Sequence, residues 1–172
     1  MNKKSLAVLL SILFVVPLFV LPFLNFFIYQ VVGSSSVTNS DTFGIFADMS
    51  GIEALYKLGG AEPSFFFVTL ASIAVVATAA IGAAYVLFAL LSLAGSKSKL
   101  MEKLTKLFGT ILLLASVATL IILILTPIIT SSEGFLSAVH KISLSWLAYL
   151  SIGGIIAGLF SLMANDGKKR KK

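Results

Sequence analysis

Four long apolar runs, none containing a charged residue, constrain the fold of this chain more than any other feature. They lie at about residues 6–32, 64–94, 107–130 and 142–164. A helix needs about 20 residues to cross a hydrocarbon core about 30 Å thick, and each run meets that length. We therefore predict an all-α fold, an integral membrane four-helix bundle that forms one domain over residues 1–172.

The composition agrees with a membrane protein. Of the 172 residues, 58% are hydrophobic and 12% are charged, whereas about a quarter are charged in typical soluble domains. The third run is the most apolar, with thirteen Leu, Ile and Val residues between Ile111 and Ile129. Each contributes roughly −0.3 to −0.6 kcal/mol to insertion near the bilayer centre, and no charged residue opposes them.

The first apolar run has an alternative interpretation as a secretory signal peptide, because two lysines precede it. The apolar region of a signal peptide is about 7–15 residues long, and this run continues through Tyr29. We favour an anchor helix that bends at Pro17 and Pro22, since proline removes a backbone donor. Cleavage near Gly33 stays open as the alternative.

The distribution of basic residues predicts the orientation. Cytoplasmic loops of membrane proteins carry an excess of Lys and Arg. With four spans, eleven basic residues fall on the side of the termini and two, Lys57 and Lys141, on the other. We therefore expect a multi-pass protein of the cell membrane with both termini in the cytoplasm. The eleven residues are Lys3, Lys4, Lys97, Lys99, Lys103, Lys106, Lys168, Lys169, Arg170, Lys171 and Lys172.

This arrangement gives two outer loops, 33–63 and 131–141, an inner loop at 95–106 and a cytoplasmic tail at 165–172. The first outer loop starts with a flexible, turn-prone stretch rich in Gly, Ser and Asn. Beyond it we predict a short extracytoplasmic helix. Asp48 or Ser50 would cap its start, and Gly59 with Gly60 would end it. Its apolar face would consist of Ile52, Leu55, Tyr56 and Leu58.

Small residues in two of the runs predict close helix packing. Ala74, Thr78 and Gly82 recur at four-residue spacing in the second run, and Gly154 and Gly158 form a GxxxG in the fourth. Lipid gives no hydrophobic drive for helix association, so close backbone approach at small residues supplies packing energy. We expect the second and fourth helices to meet or to lie centrally, and the bulkier first and third to face lipid. A homodimer face is the alternative to packing within one chain.

Residues that carry catalysis are scarce. The chain has no cysteine and one histidine, His140, and no Asp, Glu, Lys, Arg or His lies inside a predicted span. Proton relays and ion pathways normally use intramembrane ionisable groups, and hydrolysis needs paired carboxylates, a histidine base or a metal. We therefore predict no catalytic site, no cofactor and no metal, and a protein that is not an enzyme.

The basic tail predicts contact with anionic lipids. Lys168, Lys169, Arg170, Lys171 and Lys172 directly follow the fourth run, and each such charge near an anionic leaflet is worth about 1 kcal/mol. Beside four membrane spans, this run indicates lipid headgroup binding and not nucleic-acid binding.

Two functions remain from the sequence. The first is an accessory, scaffold or assembly subunit that acts through helix packing and its first outer loop, with other membrane subunits or copies of itself as partners. The alternative is a channel or transporter component whose pathway forms between helices or copies, lined by Ser and Thr hydroxyls or outer acids.

Overall fold

The computed structural model describes residues 3–24, 27–32, 37–43, 64–94, 99–132 and 140–166. Most of these residues are helical. The helices are α1 (Lys3–Val20), α2 (Ser64–Leu93), α3 (Lys99–Ser132) and α4 (Ile152–Asp166). A 3-10 helix at Leu21–Phe23 follows α1, and a second at Trp146–Ser151 leads into α4.

Four stretches are long and apolar enough to cross a membrane, which confirms that part of the predicted fold. They are Ser5–Phe23, Phe67–Leu93, Lys99–Ile129 and Trp146–Ala164. Each carries large apolar side chains on its outside, such as Leu13, Leu87, Leu114 and Met163. A face of this kind is costly to expose to water and suits contact with lipid.

The end of the first helix differs from the sequence prediction. We predicted one helix to residue 32, but α1 ends at Val20 and the chain continues through a 3-10 helix. Pro22, which has no backbone N–H to donate to a continuing α-helix, lies in this 3-10 helix. Pro17 lies inside α1, where the helix continues past it.

A three-stranded antiparallel sheet, which the sequence analysis did not predict, follows α1. Its strands are β1 (Phe27–Val32), β2 (Val37–Phe43) and β3 (His140–Leu144), in the order β2-β1-β3. The stretch interpreted as turn-prone therefore forms a strand from Val37 onward. The start of the fourth predicted helix, at Ile142, is also strand. The predicted extracytoplasmic helix lies outside the described residues.

The chain divides into two compact units. Unit 1 comprises Met1–Phe19, Ala77–Ala118 and Ser151–Lys172, and unit 2 comprises Val20–Val76 and Thr119–Leu150. Each unit has its own apolar core of buried side chains. The core of unit 1 contains Val8, Val15, Leu18, Tyr85, Ala89, Leu112 and Ala157. The core of unit 2 contains Leu21, Phe27, Val68, Ala71, Val75, Leu123 and Ala148.

Buried positions along α2 and α3 alternate at spacings of three and four residues. Because a helix has 3.6 residues per turn, this spacing keeps the buried positions on one stripe of each helix. In α2 the stripe is Val68, Ala71, Val75, Thr78, Gly82, Tyr85 and Ala89. In α3 it is Thr105, Gly109, Leu112, Ser116, Thr119, Leu123 and Thr126.

Candidate helix-packing site

The predicted packing residues of α2 lie on its buried stripe. A methyl group placed on Gly82 would lie 3.0 Å from Val15 Cγ1 of α1, 3.7 Å from Leu18 Cδ1 and 3.8 Å from Leu112 Cδ1 of α3. Thr78 is buried, and its hydroxyl donates to the Ala115 carbonyl of α3 at 3.5 Å. Within unit 1, α2 therefore packs at these positions against both α1 and α3.

The glycines of α4 approach their neighbours more closely. A methyl group on Gly158 would lie 2.6 Å from Leu113 Cβ and 3.0 Å from the Gly109 carbonyl oxygen of α3. A methyl group on Gly153 would lie 2.5 Å from the Phe14 carbonyl oxygen of α1. Real Cβ atoms do not come this close to backbone, so these positions hold glycine because two helix backbones meet there.

The second and fourth helices come together through a shared side chain of α1. Leu18 Cδ1 lies next to Gly82 of α2 and also 2.8 Å from the position of a methyl group on Gly154 of α4. The two small-residue patterns that the sequence singled out thus both contact one leucine in unit 1. Ala74, the remaining predicted packing residue, belongs to unit 2.

A reciprocal contact joins α3 and α4. A methyl group on Gly154 would overlap the Ser116 hydroxyl of α3, and a methyl group on Gly109 would overlap the Ser161 hydroxyl of α4. Each helix therefore offers one glycine and one serine seven residues apart, and each serine fills the space beside the other helix's glycine. We call Gly109, Ser116, Gly154 and Ser161 the glycine–serine clasp.

Gly154 is the one clasp residue that was among the predicted packing residues. Ser161 lies on the small-residue face of the fourth run, but Gly109 and Ser116 stand in a run dominated by Leu and Ile. Neither forms a GxxxG or a four-residue repeat. The signal that could have found them is the shared seven-residue spacing, because glycine precedes serine by seven in both α3 and α4.

Hydroxyl groups link α2 and α3 in unit 1. The Thr105 hydroxyl shares its single proton between the Met101 carbonyl of its own helix, at 2.8 Å, and the Phe88 carbonyl of α2, at 3.1 Å. A further contact in the same unit joins α2 to α1. The Tyr85 hydroxyl lies 2.5 Å from the Ser11 hydroxyl, and Ser11 donates to the Val8 carbonyl of its own helix at 2.7 Å. These bonds satisfy buried polar groups that would otherwise be costly in an apolar interior.

Unit 2 has the same type of link between α2 and α3. Thr119 donates to the Ala74 carbonyl at 3.2 Å, and Thr126 donates to the Phe67 carbonyl at 3.4 Å. Ala74 thus contributes its backbone to the contact. Threonine can also bond to its own helix, as Thr126 does to the Ile122 carbonyl at 2.8 Å.

The described residues hold no cluster of metal-ligating side chains. Among them, no group of three or more His, Cys, Asp or Glu side chains could hold a metal ion. His140 is the first residue of β3, paired with Val31 of β1. The predicted lipid-binding tail, Lys168, Lys169, Arg170, Lys171 and Lys172, lies outside the described residues.

Comparison with known proteins adds no relative. No protein-family model matches the chain, and neither a curated protein nor a solved structure matches it.

Proposed function

We propose that this chain is a multi-pass protein of the cell membrane that serves as an accessory, scaffold or assembly subunit for other membrane proteins or for copies of itself. It has no catalytic role. Both termini lie in the cytoplasm, because eleven of the thirteen basic residues fall on that side. The four apolar helices are compatible with a multi-pass arrangement.

The outward face of α2 is the observation that carries this proposal. Ala77, Ala80 and Ala83 are exposed there, although α2 already uses a different stripe for packing within the chain. Small residues on a lipid-facing surface let a second helix approach closely, which is how helices associate in a bilayer. The matching region of α3 exposes mostly larger side chains, such as Leu114 and Val117.

The first outer loop supplies a second contact surface. Its strand β2 is at one edge of the sheet formed by the three described strands. An edge strand carries backbone donors and acceptors that a partner segment can pair with. Partner recognition therefore combines helix packing within the membrane with strand pairing outside it.

The test is the size and composition of the particle that the native protein forms in mild detergent. We expect the protein mass of the particle, without its bound detergent, to exceed the 18.2 kDa of one chain. The additional mass should come from a defined partner or from further copies. Ala80→Leu should reduce the associated fraction severalfold, because a leucine would hold the partner helix away. Ala118→Leu on the exposed side of α3 is the matched control and should leave the complex intact. Finding only monomer for the unaltered chain would contradict the proposal.

Transport is the competing outcome, and a separate measurement addresses it. The buried hydroxyls of Thr105, Thr119 and Thr126 donate to helix carbonyls, a structural use that does not require a transported ligand. We expect proteoliposomes containing the chain alone to show the same ion and solute flux as empty vesicles. A flux that depends on the protein would replace the assembly role with a channel or transporter role.

A further inference from the structure

Three lysines form an exposed patch on the first two turns of α3. Lys99, Lys103 and Lys106 are all exposed, and their spacing of four and then three residues places them on one face of the helix. At 1.5 Å per residue, the patch extends about 10 Å along the helix axis. Glu102 is the one acidic residue of α3, so positive charge is in excess.

The lysine patch lies at the end of α3 where positive charge is least favourable. The helix dipole places partial positive charge at the N-terminus, so lysines stabilise a helix at its C-terminus. The last turn of α3 has no basic residue. Lys103 also repels Lys99 and Lys106, because residues three and four apart are neighbours on a helix surface. Glu102 stands three residues after Lys99 and four before Lys106, and its one carboxylate offsets only part of the charge of the three ammonium groups. An anion bound at the patch would offset both effects.

The same side of α3 continues as exposed hydrocarbon. Leu107, Leu114 and Val117 are 53%, 65% and 37% exposed. From Lys106 to Val117 the helix rises about 16 Å, close to half the hydrocarbon thickness of a bilayer. The cationic patch therefore matches a negatively charged lipid headgroup. The apolar surface that follows it is as long as one leaflet is deep, and it matches the acyl chains of that lipid.

We propose that Lys99, Lys103 and Lys106 form a binding site for anionic phospholipid. The ammonium groups contact the headgroup phosphate, and the acyl chains lie along Leu107 and Leu114. A free phosphate ion would use the patch alone and gain nothing from the apolar surface, so the lipid is the occupant. This site is separate from the basic tail and does not depend on the assembly role.

The experiment counts lipids retained by the purified full chain in native mass spectrometry. The probes are phosphatidylglycerol and phosphatidylcholine with identical acyl chains. All variants carry a neutral tail, with Gln at positions 168–172, so that the tail cannot supply the signal. The test variant adds Lys99→Gln, Lys103→Gln and Lys106→Gln. The matched control replaces the same three lysines with arginine, which keeps the charge.

We expect the neutral-tail protein to retain phosphatidylglycerol in preference to phosphatidylcholine. The glutamine variant should bind phosphatidylglycerol at least about tenfold more weakly, since each charge near an anionic lipid surface is worth about fivefold. The arginine variant should bind as before, and millimolar inorganic phosphate should not displace the lipid. Equal phosphatidylglycerol retention by the glutamine variant would overturn the proposal and leave these lysines with an orienting role only. Displacement by phosphate would overturn the lipid assignment.

Discussion

The two units of this protein have cores of the same composition, with one aromatic residue, two leucines, two valines and two alanines each, but they differ in how glycine takes part in packing. In unit 1, glycines of α2, α3 and α4 bring neighbouring helices close, and the glycine–serine clasp fills the remaining space. In unit 2, none of the described residues is a glycine, and Phe27 of strand β1 is part of the core. A core of the same composition can therefore form with glycine contacts between helices or with a strand packed into it. Both cores should be sensitive to removed atoms, and the glycine contacts of unit 1 should in addition be sensitive to added ones.

The largest effect should come from truncating the core of unit 2. Phe27 is fully buried, so Phe27→Ala leaves a cavity and should lower the free energy of unfolding by about 3–5 kcal/mol. Unfolding of the purified protein in mild detergent, followed by circular dichroism, measures this. Phe23→Ala is the control, because Phe23 is 62% exposed and should cost less than about 0.5 kcal/mol. If Phe27→Ala and Phe23→Ala lowered the free energy of unfolding equally, Phe27 would not be part of a packed core in unit 2.

The second-largest loss in the free energy of unfolding should come from adding one methyl group to unit 1. Gly158→Ala forces the α3 and α4 backbones apart, because the new Cβ meets Leu113 and the Gly109 carbonyl. We expect a loss of about 1–3 kcal/mol in the free energy of unfolding. The neighbouring control, Leu159→Ala, removes an exposed side chain and should change stability little. If Gly158→Ala proves neutral, the helices of unit 1 are not as close as described.

The clasp can be tested by exchanging its residues. Gly109→Ser alone should destabilise, because its side chain would overlap Ser161. Combining it with Ser161→Gly restores one serine facing one glycine, with the roles exchanged. A double-mutant cycle on unfolding free energies should give a favourable coupling of about 1–2 kcal/mol. Simple additivity of the two single changes would show that the clasp does not couple α3 to α4.

The smallest effect should follow removal of an interhelical hydroxyl. Thr119→Val keeps the shape of the side chain and removes the donor to the Ala74 carbonyl. Bonds of this type average about 0.6 kcal/mol in membrane proteins, well below the effect expected for Gly158→Ala. Thr110→Val is the control, since Thr110 donates to the Lys106 carbonyl of its own helix. If Thr119→Val lowers the free energy of unfolding more than Gly158→Ala does, interhelical hydrogen bonds stabilise the protein more than the glycine contacts do, which would contradict this ranking.

The four helices could be predicted because their signal is local. Apolar runs free of charge, as in Leu107 to Ile129, have few alternatives to a spanning helix. The sheet could not be predicted in the same way. Phe27 to Val32 is apolar and continues the first run without a break, and short apolar stretches do not distinguish strand from helix. Its pairing with His140 to Leu144 is a contact between distant parts of the chain.

The packing residues were predictable only where one helix carries the pattern alone. Gly154 and Gly158 form a motif within α4, and both lie against α3. The packing role of Gly109 depends on Ser161, which lies on another helix. A single sequence shows which residues are small, but it does not show which helix lies opposite them.

The orientation of the four spans in the membrane can be measured by cysteine labelling. The chain has no cysteine of its own, so Ser35→Cys and Ser98→Cys, introduced one at a time, each provide a single reactive site. With four spans and cytoplasmic termini, an impermeant maleimide should label Ser35→Cys in intact cells and Ser98→Cys only after the membrane is permeabilised. Labelling of Ser98→Cys in intact cells, or protection of Ser35→Cys until permeabilisation, would contradict the orientation.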